Sequence, residues 1–373
     1  MIVFDTRSCM HPNCFDENVK SHAVSRSISL ESIAEDFHLY SFVPRQNSRD
    51  KKIPLFKKIS TNKATRHHCF CDAHEDVFKK LDDFEIESCK DILLQVYRSI
   101  CVVYNQEKTA AINLMKLNEL ESYKDISLEM AENFLRSSKF KILIPKLTEP
   151  SVLKAVQKKI KFLQSQVIDN EFLETENLLN RIKILSESVS TIPIPRNELK
   201  VVGFESIDHT IFYYKTEFQI PVALNTVQHG EIGTNKIKFY STVIPYNNCS
   251  VIIGVLPNLL LGEQVLVDSI NDYFSSEYKI VKYVESIMST SDGWFLKPSV
   301  IDKMSEEKKE FFCTDCMFLN ERKLFCDYDM SIFDELKRKR FNTSSEELSF
   351  IPIRQDYDFR YIKMLEVMQL LND

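Results

Sequence analysis

The sequence predicts an α+β protein in three parts, and three observations predict it. Cysteine and histidine crowd into the start of the chain: six of the eight histidines and four of the ten cysteines precede residue 75. Between about Ile86 and Val189, apolar residues recur at three- and four-residue spacing, the period of amphipathic helices. After the proline-broken stretch STIPIPRNE (190–198), β-branched and aromatic runs come first and helical patterns follow. That order favours a mostly antiparallel sheet with helices set against it. The boundaries so drawn are 1–85, a Cys/His-rich segment; 86–190, a helical segment; and 191–373, an α+β domain.

The first part is read as a metal site. Cys9 and Cys14 flank a short turn, MHPN. Cys71 and His74 stand three apart in HHCFCDAHEDVF. At a helix start that spacing puts both side chains on one face. Two ligands from a turn and two from a helix's first turn make a closed tetrahedral Zn²⁺ site of the structural kind. A segment this short and loop-rich builds little core, so a bound metal supplies the missing stability. Cys-x4-Cys is looser than the usual Cys-x2-Cys, and two substitutes stay open: Cys69 for Cys71, and His11 for one of the first pair. The competing reading is scattered thiols and histidines on a basic surface. His67 and His68 are read as surface residues.

In the second part, helices are predicted over DILLQVYRSICVVYNQ (91–106), SLEMAENFLRSSKF (127–140), SVLKAVQKKIKFLQSQV (151–167) and EFLETENLLNRIKILSESV (171–189). Ser127 and Ser151 are the predicted N-caps, and Met130 at the third helical position means Ser127 forms no capping box. In the third part, strands are predicted over LKVVGF (199–204), TIFYYKTEF (210–218), KIKFYSTVI (236–244) and CSVIIGVL (249–256). Helices follow over 265–276, 278–289, 298–312 and 331–341. Trp294 is read as anchoring a core or a turn. Cys313, Cys316 and Cys326 are read as buried thiols beside Phe311, Phe312 and Phe325, although Cys-x2-Cys is also a metal spacing. The run Lys337–Arg340 suits the C-terminal end of a helix.

Composition sets limits. Hydrophobic residues at 44% and charged residues at 27% are ordinary for a packed globular chain. With six glycines and no G-x-x-x-x-G-K-[ST] or G-x-G-x-x-G, neither common phosphate cradle is present. A net charge of -6 requires any nucleic-acid contact to come from a local patch. The N-terminus lacks the features of a secretory signal. The most apolar later run, Val251–Leu261, contains Pro257 and is too short for a membrane helix of roughly 20 residues. The expectation is a cytoplasmic chain whose cysteines are thiols or ligands.

The stretches CMHPNC, KSHAVSRS and CDAHEDVFKKLDDFE, taken in that order, resemble the HNH (ββα-metal) nuclease superfamily carrying a structural zinc in a treble-clef finger. The likeness is closest to bacterial proteins with a Ser-His motif, and it covers about Cys9 to Glu85. The resemblance implies that His22 ends the first strand and acts as general base for water attacking a phosphodiester. It implies a second cation, Mg²⁺ or Mn²⁺, on the scissile phosphate, with Glu75 and Asp76 as candidates to hold it. His38 would lie on the next strand or loop. Two departures stand out: Ser21 occupies the place of the usual metal-binding aspartate, and Glu75 would have to replace the helix's Asn or His ligand. The function expected is therefore an HNH-like endonuclease, by analogy in bacterial defence. The alternative is a non-catalytic zinc finger that docks nucleic acid or protein.

Between the two halves of the finger lies PRQNSRDKKIPLFKKISTNKATRHH, with eight Lys and Arg against one Asp. Arg45, Lys51, Lys52, Lys57, Lys58, Lys63 and Arg66 are the expected phosphate contacts, and DNA is the favoured polyanion. Phe56 and His67 are expected to stack on bases. An oligomer or a partner protein would suit the large C-terminal part; a membrane would not.

Overall fold

Eight strands join in one antiparallel sheet, and two of them come from the N-terminal part of the chain. The computed structural model describes residues 8–11, 14–42, 56–117, 126–136, 141–165, 171–189, 191–203, 207–232, 235–258, 264–291, 293–317 and 327–352. The strands are β1 (Lys20–His22), β2 (His38–Phe42), β3 (Phe56–Ser60), β4 (Arg66–His68), β5 (Lys200–Gly203), β6 (His209–Lys215), β7 (Val222–Ile232), β8 (Asn235–Pro245), β9 (Ser250–Pro257) and β10 (Trp294–Leu296). The large sheet runs β3-β2-β10-β7-β8-β9-β6-β5, while β1 and β4 pair separately. The α+β expectation holds, with every strand pairing antiparallel.

The helices are α1 (Glu31–Ile33), α2 (Asp72–Glu75), α3 (Lys79–Asp83), α4 (Cys89–Leu117), α5 (Leu128–Arg136), α6 (Pro150–Ser165), α7 (Glu171–Ser188), α8 (Gln264–Tyr273), α9 (Glu277–Ser289), α10 (Pro298–Asp302), α11 (Glu306–Met317), α12 (Asp334–Phe341) and α13 (Ser345–Ser349). Ser127 caps α5, its hydroxyl accepting from the Met130 N–H at 3.1 Å. Ser151 does not cap α6, which begins one residue earlier because Pro150 is already set for a first helical position. A capping box closes α4: Asp91 N–H donates to Ser88 Oγ, and Ser88 N–H donates to the Asp91 carboxylate.

Both faces of the sheet are covered. On one lie Ile92, Val96 and Ile100 of α4, Leu178 and Ile182 of α7, and Leu30, Phe70 and Phe78 of the N-terminal part, packed with Tyr213, Tyr240 and Ile253. On the other, Ile270, Ile280, Val284 and Phe312 of α8, α9 and α11 meet Phe212, Leu224 and Phe239. A central strand covered twice reads as an unbroken apolar run, and β9 is buried from Ser250 through Leu256. Where β6 and β9 cross-pair, Phe212 lies over Gly254, and a β-carbon there would come within 2.1 Å of the ring. A third, smaller core joins α5 and α6 through Ala131, Leu135, Val152 and Val156.

The boundaries at 85/86 and 190/191 mark changes of element type and do not mark separate cores. β10 pairs with β2 on one side and β7 on the other, which stitches the first part into the sheet of the third. The stretch after Ser190 runs beside the start of α4, with Cys89 N–H donating to Ile192 O and Ile194 N–H to Glu87 O. Trp294 is fully buried and its indole N–H is shared between Met288 O and Ser291 O. Cys313 and Cys316 are buried, as expected, while Cys326 and Phe325 lie outside the described residues. Lys337 is not part of a free basic run: its ammonium pairs at 2.7 Å with Glu285, both fully buried, and Arg340 grips Glu277. Among the described residues no helix is long and apolar enough to cross a membrane.

Candidate metal centre

The turn after Cys9 folds back by local hydrogen bonds. Cys14 N–H donates to His11 O and Cys9 N–H to Asp16 O. Met10 N–H and Val19 N–H then donate to Cys69 O and Phe70 O, so the turn lies along the chain that leads into α2. Cys71 is the N-cap of α2, and one turn on, His74 faces the same way.

The four predicted ligands converge. The Sγ atoms of Cys9, Cys14 and Cys71 and a ring nitrogen of His74 all lie within 4.8 Å of one another. Cys9 Sγ is 3.5 Å from His74 Nδ1, Cys71 Sγ is 3.1 Å from it, and Cys14 Sγ is 3.8 Å from Cys71 Sγ. Donors bound tetrahedrally at ordinary Zn–S and Zn–N lengths stand roughly 3.5–3.8 Å apart, so this spacing can hold one metal ion. None of the three cysteines is in a disulfide. The alternatives close. Cys69 is fully buried and directs its thiol to Cys101 O. His11 stands behind the site, its ring stacked on His74 at 3.7 Å and its backbone N–H donating to Cys9 Sγ at 3.4 Å, as an outer-layer support.

The β1–β4 ribbon sorts its side chains by alternation. Ser21 and His67 are cross-strand partners and point inward, both buried. Lys20, His22, Arg66 and His68 share the outer face. The surface role expected for His67 is therefore wrong: its place in the register turns it into the core. Burial, and then the charge of Arg98, push its pKa down to about 3. Phe56 is likewise unavailable to bases, being buried against Trp294 and Phe312.

His22 ends β1 with Nδ1 2.8 Å from Ala64 O. A carbonyl only accepts, so Nδ1 carries the proton and Nε2 keeps its lone pair. Burial lowers its pKa, and Arg98 and Arg26 add to the effect. Glu75 is engaged elsewhere. Arg98, almost wholly buried, donates to Glu75 at 3.2 Å and to both oxygens of Asp82 at 2.8 and 3.1 Å. Asp76 is exposed at the start of a 3-10 turn, and His38 is exposed on β2, its Nδ1 bonded to Asp36 O. Among the described residues the Cys9, Cys14, Cys71 and His74 group is the one set of three or more such side chains that converges.

Of the expected phosphate contacts, Lys57, Lys58, Lys63 and Arg66 are exposed, on β3, the 61–65 turn and β4. None pairs with a carboxylate among the described residues, and Lys58 lies 5.5 Å over the Tyr40 ring. Arg45, Lys51 and Lys52 lie outside the described residues. Sequence reasoning missed Arg98. Its signal was a polar row, Asp91, Gln95, Arg98 and Ser99, at helical spacing inside an apolar helix. All four are buried, and Gln95 donates to Ala23 O while Asp91 meets Lys80, so this row fastens the finger to α4.

Comparison with family models, with curated proteins and with solved structures finds no match to this chain.

Proposed function

We propose that the chain is a zinc-stabilised nucleic-acid-binding protein, whose HNH-like finger grips a phosphate backbone without cutting it. The observation that carries the reading is a group of exposed cations on β3, the 61–65 turn and β4, Lys57, Lys58, Lys63 and Arg66, which have no carboxylate partner among the described residues. Elsewhere the buried or part-buried cations Arg98, Lys215, Lys238, Lys308 and Lys337 each meet an acid. In a chain of net charge -6, exposed cations on β3, the 61–65 turn and β4 favour a polyanion. Three thiols and an imidazole are a zinc donor set, and a closed set of four leaves no open position for chemistry.

Binding without cutting is supported by the Arg98 clamp. A divalent cation on Glu75 would sit beside a guanidinium that already holds that carboxylate at 3.2 Å, and Ser21 supplies no charge. The test is fluorescence anisotropy with duplex DNA across a salt series, on protein shown by metal analysis to hold one zinc per chain. The variant with Lys57, Lys58, Lys63 and Arg66 all changed to Ala should bind more weakly, its log–log salt slope shallower by about 0.9 per lost contact. Equal affinity and slope in the two proteins would sink the proposal.

A second reading, the HNH-type nuclease, is favoured by His22 itself: a depressed pKa and a bonded Nδ1 leave Nε2 ready to take a proton. Plasmid nicking in Mg²⁺ or Mn²⁺ that disappears in His22→Ala would move the conclusion to that reading.

A further inference from the structure

Between α1 and β2 the chain reverses in two residues. Glu35 and His38 exchange both backbone hydrogen bonds, at 3.1 and 2.9 Å, around Asp36 and Phe37. Both central residues have positive φ, 49° and 61°. Turns of this class favour Asn-Gly or Asp-Gly. Asp36 suits its place, but Phe37 stands where glycine belongs, and a bulky residue at positive φ is strained. Burial does not offset the strain, because Phe37 is 73% exposed. Neither turn geometry nor packing accounts for an aromatic ring here.

The surroundings do. Phe37 O accepts from Thr61 N–H at 2.9 Å, which fixes the ring's turn against the 61–65 turn. That turn carries exposed Lys63, and its Ala64 O holds His22, whose cross-strand partner is Arg66. Glu35, the acid before the turn, is directed away onto Ser299 N–H and Lys297. The turn that bears this exposed ring is therefore hydrogen-bonded to the turn that carries exposed Lys63. We infer that Phe37 is a stacking platform for an unpaired base, so that the ligand of this face is single-stranded nucleic acid. This rests on the nucleic-acid reading above and narrows it. In a duplex the base faces are already stacked on each other. In a single strand each base has a face to offer, and an aromatic ring beside a cationic track is how such strands are held.

The experiment uses the full chain and fluorescence anisotropy with labelled oligothymidylate, oligouridylate and a duplex of matched length. Phe37→Ala should weaken single-strand binding about tenfold or more and leave duplex binding unchanged, while Phe37→Tyr keeps wild-type affinity. Phe84→Ala is the control: Phe84 is also exposed, but it borders a cleft where Glu31, Asp83, Glu85 and Glu87 outnumber Lys80, a net negative charge that disfavours phosphate. Phe37→Gly should lose binding and raise the melting temperature, which separates lost stacking from lost folding. Preference between the two homopolymers assigns DNA or RNA as the source of the strand. Wild-type single-strand affinity in Phe37→Ala overturns this inference alone. A wild-type protein that binds none of the three probes overturns the nucleic-acid reading with it.

Discussion

His67 carries a titratable ring into a place where burial opposes its protonation. Its folded pKa of about 3 lies below the ordinary value of 6.5, so folding favours the neutral ring. The stabilising contribution is complete above pH 6.5 and is lost as pH falls toward 3, at about 1.4 kcal/mol per unit. Between pH 6.5 and 5, the wild type should therefore lose roughly 2 kcal/mol more than His67→Leu, read by urea unfolding at saturating zinc. Parallel pH profiles for the two proteins would contradict the assignment. At this scale the sequence was legible where chemistry alone decides. Cys9, Cys14, Cys71 and His74 were readable from residue type and spacing. His67 and Arg98 were not, because which face of β4 or α4 turns inward depends on a register and a docking that no local window contains.

Elements with a strong period were readable for the same kind of reason. The α4 to α7 helices and β6, β8 and β9 carry their pattern within themselves. β10 does not: three residues become a strand because β2 and β7 flank them. β3 is disguised in a basic stretch, since an edge strand tolerates lysines, as exposed Lys57 and Lys58 show. β7 mixes apolar and polar residues, and it pairs with β8 over nine positions all the same. The pairing of Phe212 with Gly254 gives a prediction at this scale. Gly254→Ala places a methyl group against the ring at 2.1 Å in a strand covered on both faces. The variant should lose about 1–3 kcal/mol in thermal or urea melting, with the same zinc content as wild type. A change below about 0.5 kcal/mol would mean that the ring gives way freely.

For the whole molecule, the finger is an integral part of the core. Leu30, Ile33, Phe70 and Phe78 are buried in the same cluster as Tyr97 of α4 and Tyr213 of the sheet. A chain cut after residue 85 would expose that apolar face and leave β2 without its inner neighbour, so zinc alone should not fold it. The 1–85 fragment with zinc should show narrow amide dispersion in its NMR spectrum, while the full chain melts as one with its finger in place. A dispersed spectrum from the fragment would show that the metal suffices.

The seam at β10 also sets an order of assembly. β2 lies at residues 38–42, but the strand that receives it ends at Leu296, and about 250 residues emerge between them. At roughly 5–20 residues per second on the ribosome, the N-terminal hairpin waits tens of seconds for its berth. During that wait a metal ion on Cys9, Cys14, Cys71 and His74 would tie two distant stretches of the unfinished chain together, until translation delivers the strand that β2 is shaped to meet.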